Sequence, residues 1–265
     1  KDFEKILAEV REGLKWLFQT KQEVLVLTSS GTGAMEGSVT NSFSKGDKVI
    51  VVDGGKFGER WWKICKAHGV EADIIKVEWG QAVDPKEIEK RLAKGGVKGV
   101  LVQASESSTG VYHPIEEISK LTRGRDDCLL IVDAISALGA VDLPMDKWGI
   151  DILIAGSQKG MALPPGLAFA ALSDKAWRAA EKSDLPKFYF DFKKERKLLE
   201  TNQTAFTPAI TLIVGLNQAL KKMREEGVPA FFLIDTGATV YVNAPPDRGD
   251  DVASRIRELG VETIR

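Results

Sequence analysis

Seven short apolar, β-branched runs constrain this chain more than any other feature. They fall at residues 23–28, 48–52, 72–77, 99–103, 128–133, 151–155 and 167–172. Most are apolar at every position rather than at alternate ones, so both faces of each strand need cover, and helix-like stretches at 85–94 and 114–121 lie between them. Strands buried on both faces and alternating with helices predict an α/β fold with a mainly parallel sheet between two helical layers. Sheets of that kind collect ligands at the carboxyl ends of their strands.

The flanking segments read differently. Phe3, Ile6, Leu7, Val10, Leu14 and Leu17 recur at spacings of three and four, the stripe of an amphipathic helix. From Trp177 onward the pattern turns helical, through an aromatic, lysine-rich stretch at 187–199 and a long amphipathic helix at about 209–226. A short strand at 239–243 and a helix at 250–259 then predict a reduced second layer. The expected division is a large domain over 1–227 and a partial small α+β domain over 228–265.

Bulk chemistry narrows the partners. Lys plus Arg (37) almost cancel Asp plus Glu (38), which gives no electrostatic footprint for nucleic acid or an anionic membrane and favours a small-molecule ligand. Cys65 and Cys128 are far apart, and His68 and His113 are the only histidines, so neither a disulfide framework nor structural zinc is supported. No apolar run approaches the ~20 residues of a membrane span, and Lys1-Asp2-Phe3-Glu4-Lys5 lacks a signal peptide's apolar region. A cytoplasmic protein with reduced thiols is expected.

Four segments put polar or glycine-rich residues just after an expected strand. Ser29-Ser30-Gly31-Thr32-Gly33 leads into a helix start, where glycines admit a phosphate to the first-turn amides; an unliganded strand-to-helix turn explains it as well. Asp133 ends 128–133, where a carboxylate can pair with a pyridinium nitrogen or simply cap a turn. Gly156-Ser157-Gln158-Lys159-Gly160 follows 151–155, and a lysine held at a strand mouth can lose its proton and condense with an aldehyde; many such lysines are merely solvated. Phe57, among the glycines of Gly54-Gly55-Lys56-Phe57-Gly58, can lie flat on a planar ring or pack in the core.

In order and company these segments resemble the class V aminotransferases, in particular the alanine–glyoxylate and serine–pyruvate branch of the fold-type-I pyridoxal-phosphate enzymes. Ser30-Gly31-Thr32, Glu106-Ser107-Ser108-Thr109-Gly110, Val132-Asp133, and Gly156-Ser157-Gln158-Lys159 followed by Pro164-Pro165-Gly166 carry the resemblance, which extends from about Val24 to Gly227. It implies pyridoxal 5'-phosphate held as a Schiff base on Lys159, with Gly31, Thr32 and Gln158 at the phosphate. Phe57 and Ile135 would lie on the two ring faces, Ser107 near the ring hydroxyl and Asp133 at the ring nitrogen. Thr207 would reach the cofactor of a neighbouring subunit, implying a homodimer with shared sites. The implied sheet has seven strands, one antiparallel, with 167–172 in that place. Arg265 matches the family's arginine for the substrate carboxylate. The ends fit poorly: nothing before Lys1 supplies the family's opening segment, and a further helix is expected where 231–238 stands, so either the chain is shortened or segments at its start and within its C-terminal region are missing from this sequence.

The implied activity moves an amino group from alanine or serine to glyoxylate or pyruvate. Alternatives are a cysteine desulfurase or lyase of the same fold, a non-catalytic subunit related to proteins labelled as hydrogenase subunits, and a dinucleotide-dependent reductase using Tyr189 and Lys193 beside the Gly31–Gly37 turn. Asp235-Thr236-Gly237-Ala238 matches an aspartic-protease tetrad but stands alone and reads as a turn.

Overall fold

The structure is a computed structural model that describes residues 2–226, together with short strands at 231–233 and 240–242. Helix α1 (Asp2–Phe18) leads into β1 (Val24–Ser29), α2 (Gly31–Ser42), β2 (Lys48–Asp53), α3 (Lys56–Ala67), β3 (Glu71–Lys76), α4 (Pro85–Leu92) and β4 (Val97–Gln103). A small hairpin, β5 (Ser105–Glu106) and β6 (Val111–Tyr112), precedes α5 (Ile115–Thr122), β7 (Leu129–Asp133), α6 (Met145–Trp148), β8 (Ile152–Gly156) and β9 (Gly166–Leu172). Then come α7 (Asp174–Ala180), α8 (Phe192–Leu199), α9 (Ile210–Glu226), β10 (Phe231–Leu233) and β11 (Val240–Val242).

All seven expected strands form, each within two residues of its expected bounds, and they share one sheet in the order β1-β9-β8-β7-β4-β2-β3. Strands β8, β7, β4, β2 and β3 run parallel, while β9 is antiparallel to both β1 and β8. The reversed strand is the one that follows Pro164-Pro165, as expected. Every residue of β7 and β8 is buried, which is why these runs carry no alternating polar face.

The cover differs on the two sides of the strand mouths. Helix α2 is built from small residues and is buried almost all round, packing on β1, β8 and β9. A Cβ at Gly37 would come within 2.6 Å of the Phe192 ring, and one at Gly33 within 2.5 Å of Phe190 Cζ, so these glycines let an aromatic segment lie directly on the helix. Asn41 fastens the two: its Nδ2 donates to Phe190 O (2.6 Å), and its Oδ1 accepts from Phe192 N (3.1 Å). Elsewhere α1 buries Leu7, Val10, Leu14 and Leu17 and packs on α9.

The helix expected over 187–199 begins only at Phe192. Asp191 caps it, accepting from Lys193 N and Lys194 N, and the aromatic residues before it lie in a turn and pack on one another, Tyr189 stacked on Phe206 at 4.8 Å. In the expected small domain, β10 and β11 pair antiparallel, and the strand expected at 239–243 corresponds to β11. The helix expected at 250–259, the tetrad Asp235–Ala238 and Arg265 lie outside the described residues. Among the described residues no helix is long and apolar enough to cross a membrane.

Candidate active site

Because β2, β4, β7 and β8 are parallel, and β1 shares their direction across the reversed β9, their carboxyl ends meet along one edge. Gly31 and Thr32 open α2 after β1, and Phe57 lies in the first turn of α3 after β2. Ser107 follows the β4–β5 segment, Asp133 ends β7, and Gln158 and Lys159 follow β8 directly. Thr207 is exposed on the loop before α9, where the structure does not enclose it with the others; that loop is tied to β1 by Ala209 N donating to Thr28 Oγ1 (3.3 Å).

At the start of α2 the N-cap Ser30 makes no side-chain cap bond, so its hydroxyl leaves the first-turn amides to other acceptors. The opening glycine is needed for packing as well as for anion access: a Cβ at Gly31 would fall 2.2 Å from Ile135 Cδ1. Ile135 therefore presses directly on the α2 N-terminus. Its own N–H donates to Asp133 Oδ1 (2.8 Å), which locks the carboxylate and the Ile135 side chain into one turn.

Lys159 is only 7% exposed. Its turn is clamped by Ser157, whose N–H bonds Leu167 O, whose Oγ donates to Pro164 O (2.8 Å) and accepts from Leu167 N (3.2 Å). Ala162 N donates to Lys159 O, with Ala162 itself in the left-handed region at φ 52. Asp133 ends the neighbouring strand, and Ala134 N bonds Ile154 O across to β8. Burial pushes the Asp133 carboxyl up to about 7, and nearby Glu106 pushes the same way; its turn bond to Ile135 and the charges of Arg60 and Lys159 pull against this.

Two residues without an assigned role in the sequence reading organise the site. The wholly buried Glu106 carboxylate accepts from five donors: Phe57 N (3.1 Å), Gly58 N (2.9 Å), Gln103 Nε2 (2.8 Å), Ser108 N (3.3 Å) and Ser108 Oγ (2.6 Å). It thus caps α3 from a distant segment and fixes the backbone that carries the Phe57 ring. Arg60, one turn further along α3, donates from Nη1 to Thr32 Oγ1 (3.0 Å) and lies over the Phe57 ring with its guanidinium carbon 4.9 Å from the centroid. Spacing offered a signal for Arg60, since positions three apart on a helix share a face.

Against this geometry the rival readings weaken. Burial pushes both Cys65 and Cys128 up to about 12, leaving neither thiol suited to sulfur transfer. Tyr189 OH donates to Thr28 O and Lys193 pairs with Glu181 at 3.5 Å, so they do not form the catalytic pair of a reductase.

The class-V aminotransferase family matches residues 1–231, and the chain belongs to it. It is 44% identical over 87% of its length to a protein of Synechococcus sp. named "Soluble hydrogenase, small subunit", covering 61% of that protein. It is 37% identical, again over 87%, to an L-aspartate–glyoxylate aminotransferase of Paracoccus denitrificans, covering 59% of it. The chain thus spans about three fifths of the length of these curated relatives. Among solved structures, an aspartate aminotransferase of Thermus thermophilus superposes with a TM-score of 0.79 at 31% identity, covering 85% of this chain and 63% of that one. The fold is that of the fold-type-I pyridoxal-phosphate aminotransferases, and the family implies pyridoxal 5'-phosphate as cofactor.

The residues present suit that group. Ser107 Oγ and Gln158 Oε1 are buried polar atoms with no hydrogen-bond partner among the described residues, a costly state that hydrogen bonding to a polar ligand relieves. A positive charge set against Asp133 would lower its raised proton affinity.

Replacing Glu106 with Ala should destabilise the protein by about 3 kcal/mol or more in denaturant unfolding, because buried donors lose their acceptor, and E106Q should cost less; a loss below about 1 kcal/mol would contradict this role. Asp133 gives a pH signature. With its folded value raised above the unfolded value of about 4, its contribution to stability is fully present below about 4 and is lost as pH rises through about 7. Without added cofactor, D133N should therefore gain on wild type between these pH values, by up to about 4 kcal/mol, and hold a constant difference above them. Parallel stability curves would contradict the shift.

Proposed function

We propose that this chain acts in pyridoxal-phosphate-dependent transamination, moving an amino group from a small L-amino acid such as alanine or serine to a 2-oxo acid such as glyoxylate or pyruvate. The observation that carries the reading is a buried lysine in a clamped turn after β8, set beside a buried carboxylate at the end of the adjacent strand β7. The relative named for aspartate and glyoxylate supports glyoxylate as acceptor and adds aspartate to the donors to be tried.

In this reading Gly31, Thr32 and Gln158 hold the phosphate, Phe57 and Ile135 bound the ring on its two faces, Ser107 meets the ring hydroxyl and Asp133 meets the ring nitrogen. The cofactor supplies an aldehyde for amine exchange and a ring that withdraws electrons. Asp133 keeps a proton on the ring nitrogen, since an anionic carboxylate in a buried site favours a cationic neighbour. Lys159, whose turn is anchored through Ser157, is the base that takes the proton from the substrate Cα. Arg265 is proposed for the substrate carboxylate, whose two oxygens its planar fork can bind.

A second copy of the chain is the proposed partner, with Thr207 reaching its cofactor. The exposed apolar side chains of Phe188, Tyr189, Ile210 and Val214 on either side of Thr207 support an interface there. The names of the hydrogenase-subunit relatives favour one further reading, a cofactor-binding subunit without transaminase activity.

A donor scan separates these readings. Cofactor-loaded protein mixed with alanine, serine or aspartate in turn, without acceptor, should convert the cofactor to its amine form, seen as loss of its visible absorbance, and glyoxylate should restore it. No response to any donor would favour the non-catalytic subunit, and sulfide released from cysteine would favour the desulfurase.

A further inference from the structure

Arg60 is a half-buried cation on the first turns of α3. Its guanidinium contacts the Thr32 hydroxyl at 3.0 Å and the face of the Phe57 ring at 4.9 Å. These partners come from different strand ends and carry two different tasks proposed above, phosphate binding and ring stacking. A guanidinium only donates, so Thr32 Oγ1 is bound to accept from it, and the single hydroxyl hydrogen is then directed away from Arg60. The same cation is close enough to Asp133 to oppose its raised proton affinity.

From this geometry we infer that Arg60 is a cofactor-positioning residue: it orients the Thr32 hydroxyl as a donor, brings positive charge to the phosphate end of the site, and holds the Phe57 ring in place. The inference rests on the pyridoxal-phosphate reading. It differs from a purely structural role in one respect, since a residue acting through the phosphate matters for the phosphorylated vitamer and much less for pyridoxal, which lacks that group.

Equilibrium titrations of the full chain with pyridoxal 5'-phosphate and with pyridoxal, for wild type, R60A and R60K, test it. R60A should raise the Kd for the phosphorylated vitamer about tenfold or more while changing that for pyridoxal by less than about threefold. R60K, which keeps the charge but not the planar stack, should retain most of the wild-type preference between the two. In T32V the effect of R60A should shrink, because the hydroxyl that Arg60 orients is gone. Unchanged affinity in R60A, or equal weakening for both vitamers, would overturn the inference while leaving the cofactor reading intact. If R60A fails to fold by circular dichroism, R60K decides by the same ratio, a lost preference overturning the inference. A wild-type protein that does not bind pyridoxal 5'-phosphate would overturn the cofactor reading and this inference with it.

Discussion

Parallel strands that end together force the residues after them into a common volume, and the site depends on that constraint. Strands β2, β4, β7 and β8 deliver Phe57, the Glu106 segment, Asp133 and Lys159 to one edge, and β1 delivers Gly31 and Thr32 because only β9 runs the other way. Behind that edge the sheet is apolar on both faces, so polar groups at the strand ends are backed by a medium in which charge is costly. Lys159 and Asp133 are buried at that edge, and burial raises the proton affinity of the Asp133 carboxylate.

Two kinds of fastening keep the edge in order. Glu106 collects main-chain and side-chain donors from β4, α3 and the turn at Ser108, so the backbone at Phe57 and the turn around Ser107 are tied to one carboxylate. Ser157 does the same for the Lys159 turn by bonding both ways to Pro164 and Leu167. Small residues complete the arrangement: Gly31, Gly33 and Gly37 let Ile135, Phe190 and Phe192 lie on α2, where any side chain would push the helix start away from the strand mouths.

Much of this was legible in the sequence. Runs that are apolar at every position gave the seven strands, and the family resemblance put the antiparallel one at 167–172, after the double proline. Gly31, Asp133 and Lys159 could be named as candidates because each sits next to a strand whose end periodicity locates, whereas Ile135 was named only through the family resemblance. Glu106 was visible as part of a motif, but its function was not, since its main donors lie 48 and 49 residues away and no local pattern joins them. Arg60 fell in a segment already singled out, yet its partner Thr32 belongs to another strand–helix unit. The stretch at 187–191 read as helix because its aromatic and lysine residues suit one; packing among Tyr189, Phe190 and Phe206 and the cap at Asp191 decide otherwise.

The proposed chemistry turns on reaction of the amine at position 159 with the cofactor aldehyde. Borohydride reduction of cofactor-loaded protein, followed by peptide mapping, tests it directly. The expected product carries a single pyridoxyl group, on the peptide containing Lys159; a label on another lysine, or none on protein shown to bind the cofactor, would rule that reaction out.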